Sequence, residues 1–260
     1  MTTKLAVTNQ KGGVGKTTVA INVAGALADR DHEVLLVDLD PQGYLTSGVG
    51  FDDAYTAEPP SLYDALLDPA NHAVDELVVH HEEFDVLPAN IDMFNLEQEL
   101  VSSMRGRERL SMLLEDADIY DYVVVDCPPS LGILTDNALL ACRHVLIPAE
   151  AEDTSIRALD LLFKQIDTLE ENYETRIQEV GLVVSNVDYP LDNEQKGMLE
   201  WFEDTFGERI PIVEVRSRAA IKRAFNNGVS IFAHDEDCDQ TGALLELATD
   251  LEELQEETNV

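Results

Sequence analysis

Two lysines, Lys11 and Lys16, bracket a glycine-rich turn: Lys11-Gly12-Gly13-Val14-Gly15-Lys16-Thr17-Thr18. The spacing fits the phosphate-loop pattern G-x-x-x-x-G-K-[ST], with Gln10 in place of the first glycine and a lysine directly after it. A phosphate needs backbone N–H groups turned inward, and Gly12, Gly13 and Gly15 let the chain curl without a Cβ in the way. A helix opening at Lys16 adds the positive end of its dipole. In such a loop Lys16 is expected to reach the β- and γ-phosphates of a nucleoside triphosphate, and the Thr17 hydroxyl to hold magnesium.

Two further apolar runs end in aspartate. Val34–Val37 leads into Asp38-Leu39-Asp40-Pro41-Gln42-Gly43, and Tyr122–Val125 leads into Asp126-Cys127-Pro128-Pro129-Ser130. A carboxylate at the end of a buried strand is costly unless something offsets its desolvation, and magnesium beside Thr17 would do so. Asp126 is therefore expected to stand behind the ion's direct ligands. Alternation puts Asp38 and Asp40 on one face of an extended segment, so either suits the attacking water and the other the metal.

These residues need a scaffold of strands and helices. Lys4–Thr8 reads as a buried strand and Thr17–Arg30 as a helix, giving the strand, glycine loop and helix that the motif requires. Further strands are expected at Glu33–Asp38, Phe84–Leu87, Tyr122–Asp126, Val145–Pro148, Val180–Asn186 and Ile210–Val215. Most are continuous Val/Ile/Leu runs, the pattern of parallel strands covered on both faces. Helices are expected at Leu96–Asp116, Thr135–Ala141, Ser155–Glu171 and Glu194–Phe206. The fold class is α/β, a doubly wound, mostly parallel sheet with helices on both faces, in one P-loop ATPase domain over residues 1–260. His80-His81 lies among glutamates and reads as a solvated turn rather than a metal site.

The 260 residues carry 52 acidic and 17 basic side chains, a formal net charge of −35. Self-repulsion of that size opposes a compact state in dilute salt. In molar salt the Debye length is only about 3 Å and the repulsion is screened, so a halophilic source is expected. Met1–Ala28, around the phosphate loop, contains no acid, and neither does Val215–Ala233. The second gap holds Arg216, Arg218, Lys222 and Arg223, four of the 17 positive charges within eight residues, and suits a polyanion. Cys127, Cys142 and Cys238 lack metal or redox spacing and no leader segment precedes the first strand, so reduced thiols in a cytoplasmic protein are expected.

Four segments give the chain a resemblance to the ParA-type (Soj-like) partition ATPases, members of the ParA/MinD group with a deviant phosphate loop. They are Lys11–Thr18, Val37–Gly43, Val125–Gly132 and the stretch from Leu134 through Pro148. The second half fits more loosely, through Val183–Asp188 and Arg216–Ile231. With the acid excess, the resemblance points to a halophilic archaeon. It implies a slow, magnesium-dependent ATP hydrolase that dimerises on ATP, with two nucleotides sandwiched between subunits. The lysine matching Lys11 reaches across to the partner's phosphates, the residue matching Asp40 positions the hydrolytic water, and Asp38 is left to support the metal. The nucleotide contacts carried over are Lys11 through Thr18, with Asn186 at the adenine.

The resemblance further implies non-specific DNA binding by the dimer, a nucleoid-associated location and a ParB-like centromere-binding partner. Arg216, Arg218, Lys222 and Arg223 fall in the region that binds DNA, although the arginine of many relatives aligns with Ala220 here. Rival readings are a MinD-like membrane ATPase and an ATPase that positions a protein cargo. The tail Thr241–Glu257 is amphipathic but acidic, which an anionic leaflet would repel. An iron–sulfur reductase of related fold would need cysteines at other positions.

Overall fold

Tyr122, Val123, Val124 and Val125 are consecutive and all fully buried, yet they enter two different cores. Tyr122 and Val124 pack with Leu5, Val7 and Leu36, whereas Val123 and Val125 pack with Leu35, Val37 and Ile147. Successive strand side chains point to opposite faces, so a sheet covered on both sides needs an unbroken apolar run. Each such side chain contributes about 1.5–3 kcal/mol by leaving water.

The computed structural model describes residues 2–234 and 237–258. Among these, eight strands form one sheet: β1 (Thr3–Val7), β2 (Val34–Asp38), β3 (Val79–His80), β4 (Asp85–Leu87), β5 (Tyr122–Asp126), β6 (His144–Glu150), β7 (Gln178–Val187) and β8 (Ile212–Arg216). Their order is β3-β4-β2-β5-β1-β6-β7-β8, with every neighbouring pair parallel except β3 with β4. This is the expected doubly wound sheet. The short antiparallel edge was not expected, and it places His80 in a strand rather than a turn, with Nδ1 2.6 Å from Asp85 Oδ1.

The helices are α1 (Lys16–Ala28), α2 (Tyr44–Gly48), α3 (Asp52–Tyr55), α4 (Leu62–Leu67), α5 (Met93–Ser102) and α6 (Arg109–Leu113) in the first half. The second half adds α7 (Ile133–Cys142), α8 (Thr154–Tyr173), α9 (Asn193–Phe206), α10 (Ala219–Asn226) and α11 (Thr241–Thr258). The single helix expected over Leu96–Asp116 is instead α5, a turn and α6. Arg105 takes a left-handed φ of 55°, and Gly106 lies so close to Leu100 that a Cβ there would sit 1.9 Å from the Leu100 carbonyl oxygen. Apolar spacing carries across this break, and only the backbone geometry reveals it.

The tail helix α11 packs its apolar face on α1 and β8, burying Leu244, Leu247, Ala248 and Leu251. Arg30 grips Glu252 with Nε and Nη2 at 2.7 and 2.5 Å, and this pair holds the Glu252 carboxyl down at about 2. Glu246 and Glu253 stay exposed, and the side chain of Glu257 lies outside the described residues. No helix among the described residues is long and apolar enough to cross a membrane.

Register then positions the chemistry. Val7, Asp38 and Asp126 are neighbours across β1, β5 and β2, so the phosphate loop and two aspartates leave the sheet at one level. That is the C-terminal edge of the parallel strands, where doubly wound sheets bind ligands.

Candidate nucleotide site

The loop after β1 is pinned by Asn9, whose buried side chain donates to Pro148 O at 2.6 Å and accepts from Lys11 N at 3.1 Å. Gly13 and Gly15 take φ of 82° and 83°, a left-handed conformation that a side chain would strain. Lys16 opens α1 and is 8% exposed, with Nζ on the Lys11 carbonyl at 3.3 Å. Burial lowers its pKa despite the attraction of Asp126, Cys127 and Asp40. A cation so placed gains most from an anion brought into the loop.

Thr17 Oγ1 donates to Asp126 Oδ2 at 2.6 Å. The other oxygen of Asp126 is buried without a hydrogen-bond partner, as is Thr8 Oγ1. Burial, then the neighbouring Asp38, raises the Asp126 pKa well above the carboxylate range. A hydroxyl and an orphaned carboxylate oxygen side by side suit a hard divalent cation, which takes oxygen ligands and offsets the buried negative charge.

The aspartate pair divides. Asp38 is fully buried: Oδ1 accepts from Asp40 N at 3.2 Å, and Oδ2 from Thr46 N and Oγ1 at 2.8 and 2.7 Å. Burial lifts its pKa to about 7 even so. Both oxygens therefore brace the segment that carries Asp40. Asp40 is half-buried and accepts from Gln42 N at 3.0 Å, with its pKa raised by burial and opposed by that bond and by Lys16. Of the two, Asp40 is freer to meet a reactant.

Lys11 does not lie across its own loop. Its Nζ sits 2.7 Å from Glu150 Oε2 and 2.6 Å from Glu152 Oε2. Burial opposes its charge, but the two glutamates outweigh it and raise its pKa. Glu150 also accepts from Asn186 Nδ2 at 3.0 Å, so one carboxylate joins two of the residues expected at the nucleotide. Asn186 has a left-handed φ of 57° and borders a cleft of about 290 Å3 with Gly15, Thr18 and Ser185.

Arg216, Arg218 and Lys222 line that same cleft, so three of the four cations expected on DNA lie beside the phosphate loop. Arg223 stands on the exposed side of α10. Glu150, Glu152 and Thr46 were not anticipated. Glu150 ends a buried strand just as Asp38 and Asp126 do, and the same rule would have found it had β6 been read past Pro148. Cys127, Cys142 and Cys238 are all buried free thiols.

Residues 2–179 match the family described as "AAA domain". The sporulation initiation inhibitor protein Soj of Bacillus subtilis is 34% identical over 232 residues, which span 89% of this chain and 90% of that protein. The chromosome partitioning protein ParA of Caulobacter vibrioides is 32% identical over 250 residues, 95% of this chain and 92% of the relative. The crystal structure of cobyrinic acid a,c-diamide synthase from Mycobacterium smegmatis with bound ADP and magnesium superposes with a TM-score of 0.81 at 29% identity, covering 98% of this chain and 96% of that one.

Proposed function

The chain belongs to the ParA/Soj family of partition ATPases, and on that premise we propose that it is an ATP-dependent dimerising switch that holds DNA non-specifically and moves or positions a plasmid or chromosome. The observation that carries this reading is the division of labour between the two lysines. Lys16 is buried in its own loop, whereas Lys11 is held away from that loop by Glu150 and Glu152.

ATP binds with its phosphates in the loop Lys11–Thr18 and its base in the cleft beside Asn186. Thr17 and Asp126, with Asp38 adding negative charge behind them, are the residues that would hold magnesium, which when bound neutralises charge on the transferring phosphate. Lys16 gathers the β- and γ-phosphate oxygens, and the partner's Lys11 adds a second cation. Asp40 accepts a hydrogen bond from the attacking water and orients it. Phosphoryl transfer rests on positioning and charge neutralisation, and few groups here supply either, so turnover is slow. A slow ATPase with two partner-binding states is a switch.

For DNA, salt sets a constraint. About four phosphate contacts per subunit cost roughly three to four decades of affinity for each tenfold rise in salt. In the molar salt that the acidity suggests, only two patches joined in a dimer hold DNA usefully. We therefore read DNA binding, nucleoid association and a ParB-like stimulating partner as belonging to the ATP-bound dimer. The acidic outer face of α11 argues against a MinD-like membrane role.

The test is sedimentation of the purified chain in molar potassium chloride with magnesium, with and without ATP, followed by co-sedimentation with duplex DNA, anionic liposomes and candidate cargo proteins. ATP-dependent dimers that retain DNA and ignore liposomes are expected. A chain that stays monomeric and empty with ATP ends the reading, and dimers that carry only a protein cargo replace its DNA half.

One consequence concerns the metal. Asp126→Asn removes the buried charge behind Thr17 and is expected to raise the magnesium concentration needed for half-maximal ATP binding about 10- to 100-fold. A magnesium titration by calorimetry reads this. An unchanged midpoint would remove Asp126 from the metal site.

A further inference from the structure

Arg218 is already engaged by a carboxylate. Its Nε and Nη2 donate to the two oxygens of Asp239 at 2.7 and 2.6 Å, the forked geometry that a guanidinium also makes with a phosphate. Arg216 stands beside it, with Nη1 3.7 Å from Asp239 Oδ2 and its guanidinium carbon 3.9 Å from the centroid of the Tyr189 ring.

Asp239 is held in this place by its neighbours. Cys238 and Gln240 are buried on either side, and Gln240 Oε1 accepts from Arg216 N at 2.7 Å. The carboxylate is thus tied to the backbone that carries the arginines, brought from outside the acid-free stretch into its middle. Arg218 and Gln240 keep the Asp239 carboxyl well below the usual carboxylate range. Solvent still reaches the pair, since the side chains of Arg218 and Asp239 are 31% and 52% exposed, and a competing anion reaches it by the same route.

We propose that Asp239 is an internal stand-in for a DNA phosphate: it occupies Arg218, and partly Arg216, in the free chain, and duplex DNA binds by displacing it. The proposal rests on the DNA reading above and adds how that binding is restrained. Exchanging one anionic partner for another gains little, so Arg218 adds almost nothing to DNA affinity while Asp239 competes. Without Arg218 the patch offers too little charge for a single subunit to hold DNA. Two subunits on one duplex make the displacement worthwhile. Arg216, Arg218 and Lys222 also line the nucleotide cleft, so one short stretch of chain carries cations of the patch and borders the phosphate loop.

The test compares wild type with Asp239→Asn, Asp239→Ser, Asp239→Glu and Asp237→Asn by fluorescence anisotropy on a labelled random-sequence duplex, across a salt series, with and without ATP and magnesium. Asp237→Asn removes the same charge two residues away and controls for net charge. Asp239→Asn and Asp239→Ser are expected to bind DNA without ATP about tenfold more tightly than wild type, with the salt dependence steeper by about 0.9 per subunit. Asp239→Glu and Asp237→Asn are expected to stay within about twofold of wild type. Adding Arg218→Ala to Asp239→Asn is expected to abolish the gain. Two neutral replacements are used so that the outcome does not depend on the folding of one. If ATP-loaded wild type retains DNA but Asp239→Asn and Asp239→Ser behave like Asp237→Asn, the stand-in role is overturned and the DNA reading survives. If no form retains DNA at any salt, both are overturned.

Discussion

Lys11→Ala is expected to weaken ATP-driven pairing by roughly one to four orders of magnitude while leaving ATP bound to the single chain. In the free chain Lys11 makes no contribution that its own phosphate loop needs, because its ammonium lies on Glu150 and Glu152. In the proposed dimer it would be enclosed against phosphate, and truncating one partner of such a pair costs about 2–5 kcal/mol. That is roughly a 30- to 5,000-fold weaker dimer.

The resting contacts of Lys11 are partly exposed, with side chains 22%, 20% and 51% accessible for Lys11, Glu150 and Glu152, and each such pair is worth about 0.2–1 kcal/mol. The lysine therefore leaves them readily. Replacing both glutamates by glutamine is expected to tighten the ATP dimer between about twofold and thirtyfold, since nothing then competes for the ammonium. Analytical ultracentrifugation over an ATP titration measures both effects. A Lys11→Ala chain that pairs as well as wild type would refute the crossing lysine.

Asp40→Ala is expected to lower the hydrolysis rate about 100- to 10,000-fold, the range for losing a positioned acid–base group, with ATP affinity changed only a few-fold. Asp40 sits on a segment fixed at both ends. Asp38 holds its N–H and ties the segment to Thr46, and Thr46 Oγ1 in turn accepts from Ala89 N at 2.9 Å. Asp38→Ala is expected to behave differently: it frees the whole segment and leaves the Thr46 N–H and hydroxyl without their acceptor, so binding and turnover fall together. Single-turnover phosphate release beside equilibrium ATP binding separates the two aspartates. If Asp38→Ala alone stops turnover while keeping full affinity, their roles are exchanged.

The same residues show why some features were legible in the sequence and others were not. The phosphate loop is read directly because glycine, lysine and threonine act there through their own backbone and side chains over a few adjacent positions. The parallel strands are legible because burial on both faces forces an unbroken apolar run, as in Tyr122–Val125. Where a strand carries a carboxylate at its end, the cost of burying that charge marks Asp38, Asp40 and Asp126 before any partner is known.

Tertiary structure decided which partner each group finds. Lys11 meets Glu150 from 139 positions away because β6 pairs beside β1, and Arg218 meets Asp239 across 21 positions that include α10. The split between α5 and α6 depends on Gly106 lying against Leu100, a contact with no periodic trace. Local chemistry and burial pattern are written along the chain, and so the loop, the aspartates and the sheet were determined by sequence alone. A charge's partner depends on which distant segment the sheet order brings alongside it, and only the folded chain settles that.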